Sequence, residues 1–199
     1  MYSTFQRANN IFSLATTYAL IFLGLVSIAS FLSLPTVDVG SITVKDIIIY
    51  KGRLNRWGAK VEELASLRFD VRTDLNVLLN SYNTKQLFLY LTANYEEEPL
   101  GIAHDVVLWD RIITREDIRD IRSVEKKSPK SGKKKGRGKM RLENVKNKYI
   151  WRNPSGTFKN APRANVTLHY SLMPYVGVLS SGIAATAEGP LDLPDVLKR

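Results

Sequence analysis

The chain has 199 residues, a net charge of +10, no cysteine and two histidines. These values exclude thiolate chemistry, disulfide staples and cysteine-based zinc sites, and they leave room for about one self-supporting domain beside any anchor. The charge invites a nucleic-acid reading, but Arg122 to Arg141 holds ten basic residues against Glu125 alone and so carries +9 of the +10.

Ile11 to Leu34 contains no charged side chain, and the uncharged run extends from Ala8 to Val37. A helix rising about 1.5 Å per residue needs about 20 apolar residues to cross a hydrocarbon core about 30 Å thick. The run therefore predicts a transmembrane helix over 11–34, the form that satisfies its own backbone in lipid. Ser13, Thr16, Thr17, Gly24, Ser27 and Ser30 would let a neighbouring helix approach closely, although such residues are ordinary in a single span. Ser27 and Ala29 have the spacing of a signal-peptide cleavage site. A secretory apolar core is only about 7–15 residues, however, so the length favours an uncleaved anchor. Arg7 and the α-amino group before the span, with Asp38, Lys45 and Asp46 after it, give a thin bias toward a cytosolic N-terminus. Residues 1–10 are then a cytosolic tail, and 35–199 lie on the lumenal or extracellular side.

Ser41 to Tyr50 is rich in Ile, Val and Thr and predicts a strand. Lys51 to Lys60, with Gly52, Asn55 and Gly58, predicts a turn or loop. Leu67, Phe69 and Val71 alternate with Arg68, Asp70 and Arg72, the pattern of a strand with one buried face. Asp74 to Leu79 suits a short helical turn. Lys85 to Tyr95 predicts a central strand closed by Glu96 to Pro99, and Asp105 to Ile113 the next. Thr114 to Val124 has no stable apolar face. The basic insert, about 122–141, has the composition of a disordered segment. Leu142 to Trp151 resumes the fold, and Asn165 to Met173 alternates as a strand. Tyr175 to Ala187 suits a last strand pair, and the tail from Gly189, with Pro190 and Pro194, is expected to be loose. Short strands with turn signals and no long amphipathic helix predict an antiparallel β-sandwich.

Asn165-Val166-Thr167 is the usable N-glycosylation acceptor, since Pro154 bars Asn153. It agrees with an exported C-terminal domain, although Asn165 also suits a strand start. His104 and His169 have no metal-ligand spacing, and there is no G-x-S-x-G elbow or phosphate-binding glycine loop. No metal or cofactor is expected. A serine–histidine site is defined by geometry rather than order, but both histidines flank strands and structural roles are expected, so replacing Ser41, Ser66, Ser81, His104 or His169 is expected to cost at most stability. The absence of an Asp-x-Asp pair counts against a nucleotide-sugar transferase. Trp57, Trp109, Trp151, Phe88, Tyr90 and Tyr95 sit in apolar runs and are expected in the core. The basic insert could meet nucleic acid or anionic lipid head groups, but a solvated loop is the simpler expectation. On these residues alone, a type II membrane-anchored glycan-processing enzyme or a receptor-like ectodomain remain alternatives.

Five segments carry a resemblance: Arg7-Ala8-Asn9 before the span, Lys85-Gln86-Leu87-Phe88-Leu89-Tyr90-Leu91, Val106-Val107-Leu108-Trp109-Asp110, Lys146 to Tyr149, and Asn165 to Leu168. In this order the chain resembles the signal peptidase complex subunit 3 family of the eukaryotic endoplasmic reticulum. The resemblance covers most of the chain and implies a single-pass type II protein with a lumenal β-sandwich. It implies a non-catalytic accessory subunit that supports a separate catalytic serine protease subunit in removing signal peptides from nascent secretory proteins. The implied partners are that subunit, the other subunits of the complex, membrane lipid and the protein translocation channel, with no nucleic acid. The basic insert departs from the family's shorter forms and implies a lineage-specific loop of fungal type.

Overall fold

The computed structural model describes residues 3–34, 36–53, 60–98, 101–114 and 139–197. Trp57, most of the 51–60 turn, Pro99, the 115–124 stretch and all but the end of the basic insert lie outside the described residues.

Helix α1 (Thr4–Leu32) opens at Ser3, whose side chain accepts from the Gln6 amide at 3.3 Å. It begins earlier than the apolar run, taking in Arg7, because capping rather than hydropathy sets a helix start. None of its residues is buried, and it is long and apolar enough to cross a membrane.

The rest is β structure: β1 (Gly40–Gly52), β2 (Glu62–Asp74), β3 (Thr84–Glu97), β4 (Ile102–Thr114), β5 (Lys139–Lys146), β6 (Trp151–Arg152), β7 (Arg163–Pro174), β8 (Ser180–Ala187) and β9 (Leu191–Asp192), with the short helix α2 (Asn76–Leu79) after β2. The main sheet runs β4-β3-β7-β8-β1-β2-β5, with β6 added to β2 and β9 to β7. The expected N-terminal apolar helix followed by a mainly-β domain is present. The strands form one curled sheet whose halves face each other: Phe69 on β2 meets Trp109 on β4 edge-to-face at 6.1 Å.

The sheet is not wholly antiparallel. β1 and β8 pair in parallel over Gly40–Ile42 and Ala185–Ala187. Both start at the α1 end of the domain, β1 because it follows the anchor and β8 because β7 has just returned there, so as neighbours they must run the same way. The open edges meet at Leu108, whose carbonyl accepts from the Lys148 and Tyr149 amides at 2.9 and 3.0 Å. Asp110 fastens this seam, accepting from Lys148 Nζ at 2.6 Å and the Tyr149 hydroxyl at 2.9 Å. Two segments that carry the resemblance are therefore joined in space.

Period-two alternation sets the core. Leu67, Phe69 and Val71 point inward from β2, and Leu87, Leu89, Leu91, Ala93 and Tyr95 from β3. Trp109 and Trp151 are buried as expected. Phe88 and Tyr90 are not: they take the alternate register on β3 and lie half-buried on the outer face.

Two further expectations change. Tyr175 to Ala187 gives one strand, β8, because Pro174 ends β7 and Gly177 (φ +122°) turns the chain through 175–179. The tail is tied down: β9 pairs with β7, and the Leu193 and Leu197 amides bond the Pro162 and Ile49 carbonyls at 3.0 and 2.9 Å. Leu191, Leu193 and Val196 pack on the core, which offsets the ordering cost of a terminus.

Candidate functional site

The end of the sheet nearest α1 joins the two parts of the molecule. Val26, Ser27 and Ser30 on the helix's last turns, and Leu34 just past its end, are half-covered. Asn83, between α2 and β3, is the hub of the joint. Its amide nitrogen donates to Ser30 Oγ at 2.7 Å and to the Val176 carbonyl at 2.6 Å. Its side-chain oxygen accepts from the Val176 amide at 3.1 Å, and its backbone carbonyl from the Tyr175 amide at 2.8 Å. Thr84 Oγ1 closes the turn behind it on the Leu78 carbonyl at 2.7 Å.

The 175–179 loop is thus held against the helix. A Cβ on Gly177 would stand 3.2 Å from Ser27 Oγ, a spacing that a side chain would crowd. An open crevice of about 340 Å³ remains between Val26, Ser30, Leu78, Tyr82, Pro174 and Val178. Ser27 and Ser30, two of the small residues that suit a neighbouring helix, instead meet the protein's own β domain. Thr16 and Thr17 bond back to the Phe12 and Ser13 carbonyls within α1. Nothing in the sequence singled out Asn83: an asparagine after a helical turn is common, and its partners are 53 and 93 residues away.

A second feature lies on the outer face of β4-β3-β7-β8. Phe88 stacks on Tyr90 with ring centroids 5.4 Å apart, and Tyr90 on His169 at 5.1 Å. Cross-strand pairing sets Ile112 beside Phe88, and Ile183 beside His169. The result is an aromatic and aliphatic band across four strands, of the kind that interfaces favour.

The titratable candidates do not converge on chemistry. His169 Nε2 lies 3.1 Å from Thr92 Oγ1, while His104 faces Glu97 at 3.5 Å and tilts against the Tyr95 ring. Ser66 bonds Asn147. Among the described residues, no hydrogen bond joins either histidine to a serine, and no three metal-ligating side chains cluster. Asn165 is exposed at the start of β7, opposite Asn94, at the end of the sheet away from α1.

The signal peptidase subunit family model matches residues 1–196. The chain belongs to the signal peptidase subunit family. A signal peptidase complex subunit 3 of Yarrowia lipolytica is 28% identical over 99% of this chain and 100% of its own. The Debaryomyces hansenii protein of that name is 32% identical over 89% of this chain and 85% of its own, and the human one 28% over 98% and 94%. The chain is accordingly an accessory, non-catalytic subunit of the signal peptidase complex.

Proposed function

We propose that this subunit acts by position: from the lumenal side of the endoplasmic reticulum membrane it braces the catalytic serine protease subunit at a fixed height. The Asn83 joint carries this reading, because it ties the sheet to the anchor at Ser30 and leaves the β domain little freedom to swing. Small misplacements of reacting groups can cost about 100-fold in rate, so a rigid spacer has catalytic consequences without a nucleophile of its own.

The topology that goes with it is type II: residues 1–10 cytosolic, 11–34 in the membrane and 35–199 lumenal. Asn165 is then a glycan acceptor, and its exposure at the end away from the anchor supports that role. The outer band of Phe88, Tyr90, Ile112 and Ile183 is the surface that the catalytic subunit covers. Assembly does not need the 122–141 insert. Contact with the translocation channel is made through the complex.

Cleavage of a preprotein by the reconstituted complex tests the reading. Removing this chain should leave uncleaved precursor, and Asn83→Ala should slow cleavage without dissociating the complex. Ala in place of Ser41, Ser66, Ser81, His104 or His169 should leave the chemical step intact. Loss of cleavage in any one of these variants that still folds and assembles would sink the non-catalytic role. A glycosidase-sensitive gel shift that vanishes in Asn165→Gln, with protection of the C-terminal domain from external protease in sealed microsomes, checks the orientation.

A further inference from the structure

The α1 end of the β domain exposes large apolar side chains more fully than the rest of its described surface. Tyr82, Tyr175, Val178 and Leu179 lie on the turn after α2 and on the β7–β8 loop, and are 62% to 91% exposed. These segments also lack charge: no Asp, Glu, Lys or Arg occurs between Asp74 and Lys85, or between Arg163 and Glu188.

The joint sets the level of this patch. Gly177 packs on Ser27, which is not at the end of the helix but five residues before Leu32. At about 1.5 Å per residue, that contact lies roughly 7 Å back along α1 from its last residue. Measured from the middle of the helix, or of its uncharged part, Ser27 lies about 10–14 Å away, within or at the edge of a hydrocarbon half-thickness of about 15 Å. A loop touching Ser27 shares that depth.

We infer that the β7–β8 loop and the turn after α2 enter the bilayer interface beside the anchor, with Val178 and Leu179 against acyl chains and Tyr82 and Tyr175 at head-group level. This rests on α1 being the membrane anchor. Water at the patch would leave apolar side chains exposed at the depth where water thins out, whereas lipid buries them without further ordering of the protein. Tyrosines suit this level, since the ring is apolar and the hydroxyl can stay wet. The backbone is also prepared: Asn83 satisfies the Tyr175 and Val176 amides and the Val176 carbonyl. Irregular backbone at membrane depth needs such internal partners. The domain thus has two membrane contacts, and the loop stops it rotating about the helix axis.

The absence of cysteine allows a direct test on the full chain. Single Val178→Cys, Leu179→Cys, Leu20→Cys and Lys159→Cys variants would carry an environment-sensitive fluorophore in phosphatidylcholine nanodiscs, alone and in the assembled complex. Spin-labelled phosphatidylcholine should quench the labels at 178, 179 and 20, with blue-shifted emission, and leave the distal label at 159 water-like. A water-like, unquenched signal at 178 and 179 with a quenched label at 20 would overturn the inference and leave the anchor intact. Labels at 178 and 179 that shift only on complex assembly, without lipid quenching, would assign the patch to a protein partner and equally overturn it. An unquenched label at 20 would remove the anchor and the inference together.

Discussion

The two ends of the β domain are closed by opposite means. The end away from α1 is sealed by a polar network laid over aromatic rings. Glu63, 5% exposed, accepts from the Phe158 amide at 2.7 Å, and Asn153 holds the loop through Ser155 Oγ and the Thr157 carbonyl, both at 2.7 Å. Beneath it, the rings of Trp151, Tyr95 and Phe158 stand 5.7 to 6.4 Å apart, and burial pushes the Tyr95 hydroxyl's pKa above its ordinary value. The α1 end uses Asn83 as its polar clamp and leaves Tyr175, Val178 and Leu179 outside. An end that faces water must satisfy its loops and hide its apolar groups. On the inference that the α1 end meets lipid, that end need only satisfy its backbone.

The comparison can be broken most forcefully at the distal end. Trp151→Ala empties the centre of the aromatic cluster and should cost about 3–5 kcal/mol. For a protein of this size that lowers Tm by roughly 6–20 °C, read by thermal melting of the full chain in mild detergent. A loss of only a degree or two would mean that this end does not anchor the fold. Glu63→Ala strands the buried Phe158 amide and should cost about 1–3 kcal/mol in the same assay.

At the α1 end the expected effects are smaller and local. Gly177→Ala places a side chain at φ +122° against Ser27 and should cost about 1–3 kcal/mol. Asn83→Ala should move Tm by less than Trp151→Ala, yet hydrogen exchange at residues 175–180 should rise. Unchanged exchange there would show that the joint does not depend on Asn83. Phe88→Ala, on the outer face, should cost less stability than a core aromatic and weaken assembly more. If its loss of Tm matched that of Trp151→Ala, the outer band would be structural.

The smallest effect is electrostatic and belongs to the seam. The Asp110 carboxyl is held below its ordinary 3.8, chiefly by the Lys148 ammonium bonded to it. A carboxyl with a depressed folded-state pKa adds stability that is present above its unfolded value and is lost as pH falls through the folded one. Melts taken from pH 5 to pH 2.5 should therefore show an acid limb that flattens in Asp110→Asn. The Asp70 carboxyl acts in the same sense: partial burial opposes the shift, but the Asn144 amide and Lys45 outweigh it.

Particular residues show how far the sequence could be read. The alternation of Leu67, Phe69 and Val71 located a strand and its buried face correctly, as did the strands around Tyr50, Tyr95 and Trp109. Phe88 reads as core in sequence because in an aromatic-rich run each residue is apolar enough for either face, and only the register set by Leu87 and Leu89 decides. The tail after Gly189 looked loose because its two prolines mask how Leu191, Leu193 and Val196 reach the core. Asn83 could not be found at all, since its partners are distant in the chain.

The sequence by itself determined the anchor, the β class and the family, because each is written in many residues at once: an uncharged run, period-two alternation and motifs spread along the chain. The tertiary structure alone decided the parallel β1–β8 pair, the outer aromatic band and the level along α1 at which the β7–β8 loop meets it. Those depend on which strand ends share one end of the sheet and on a few hydrogen bonds spanning 53 to 111 residues, and a distance along the chain carries no record of a distance in space.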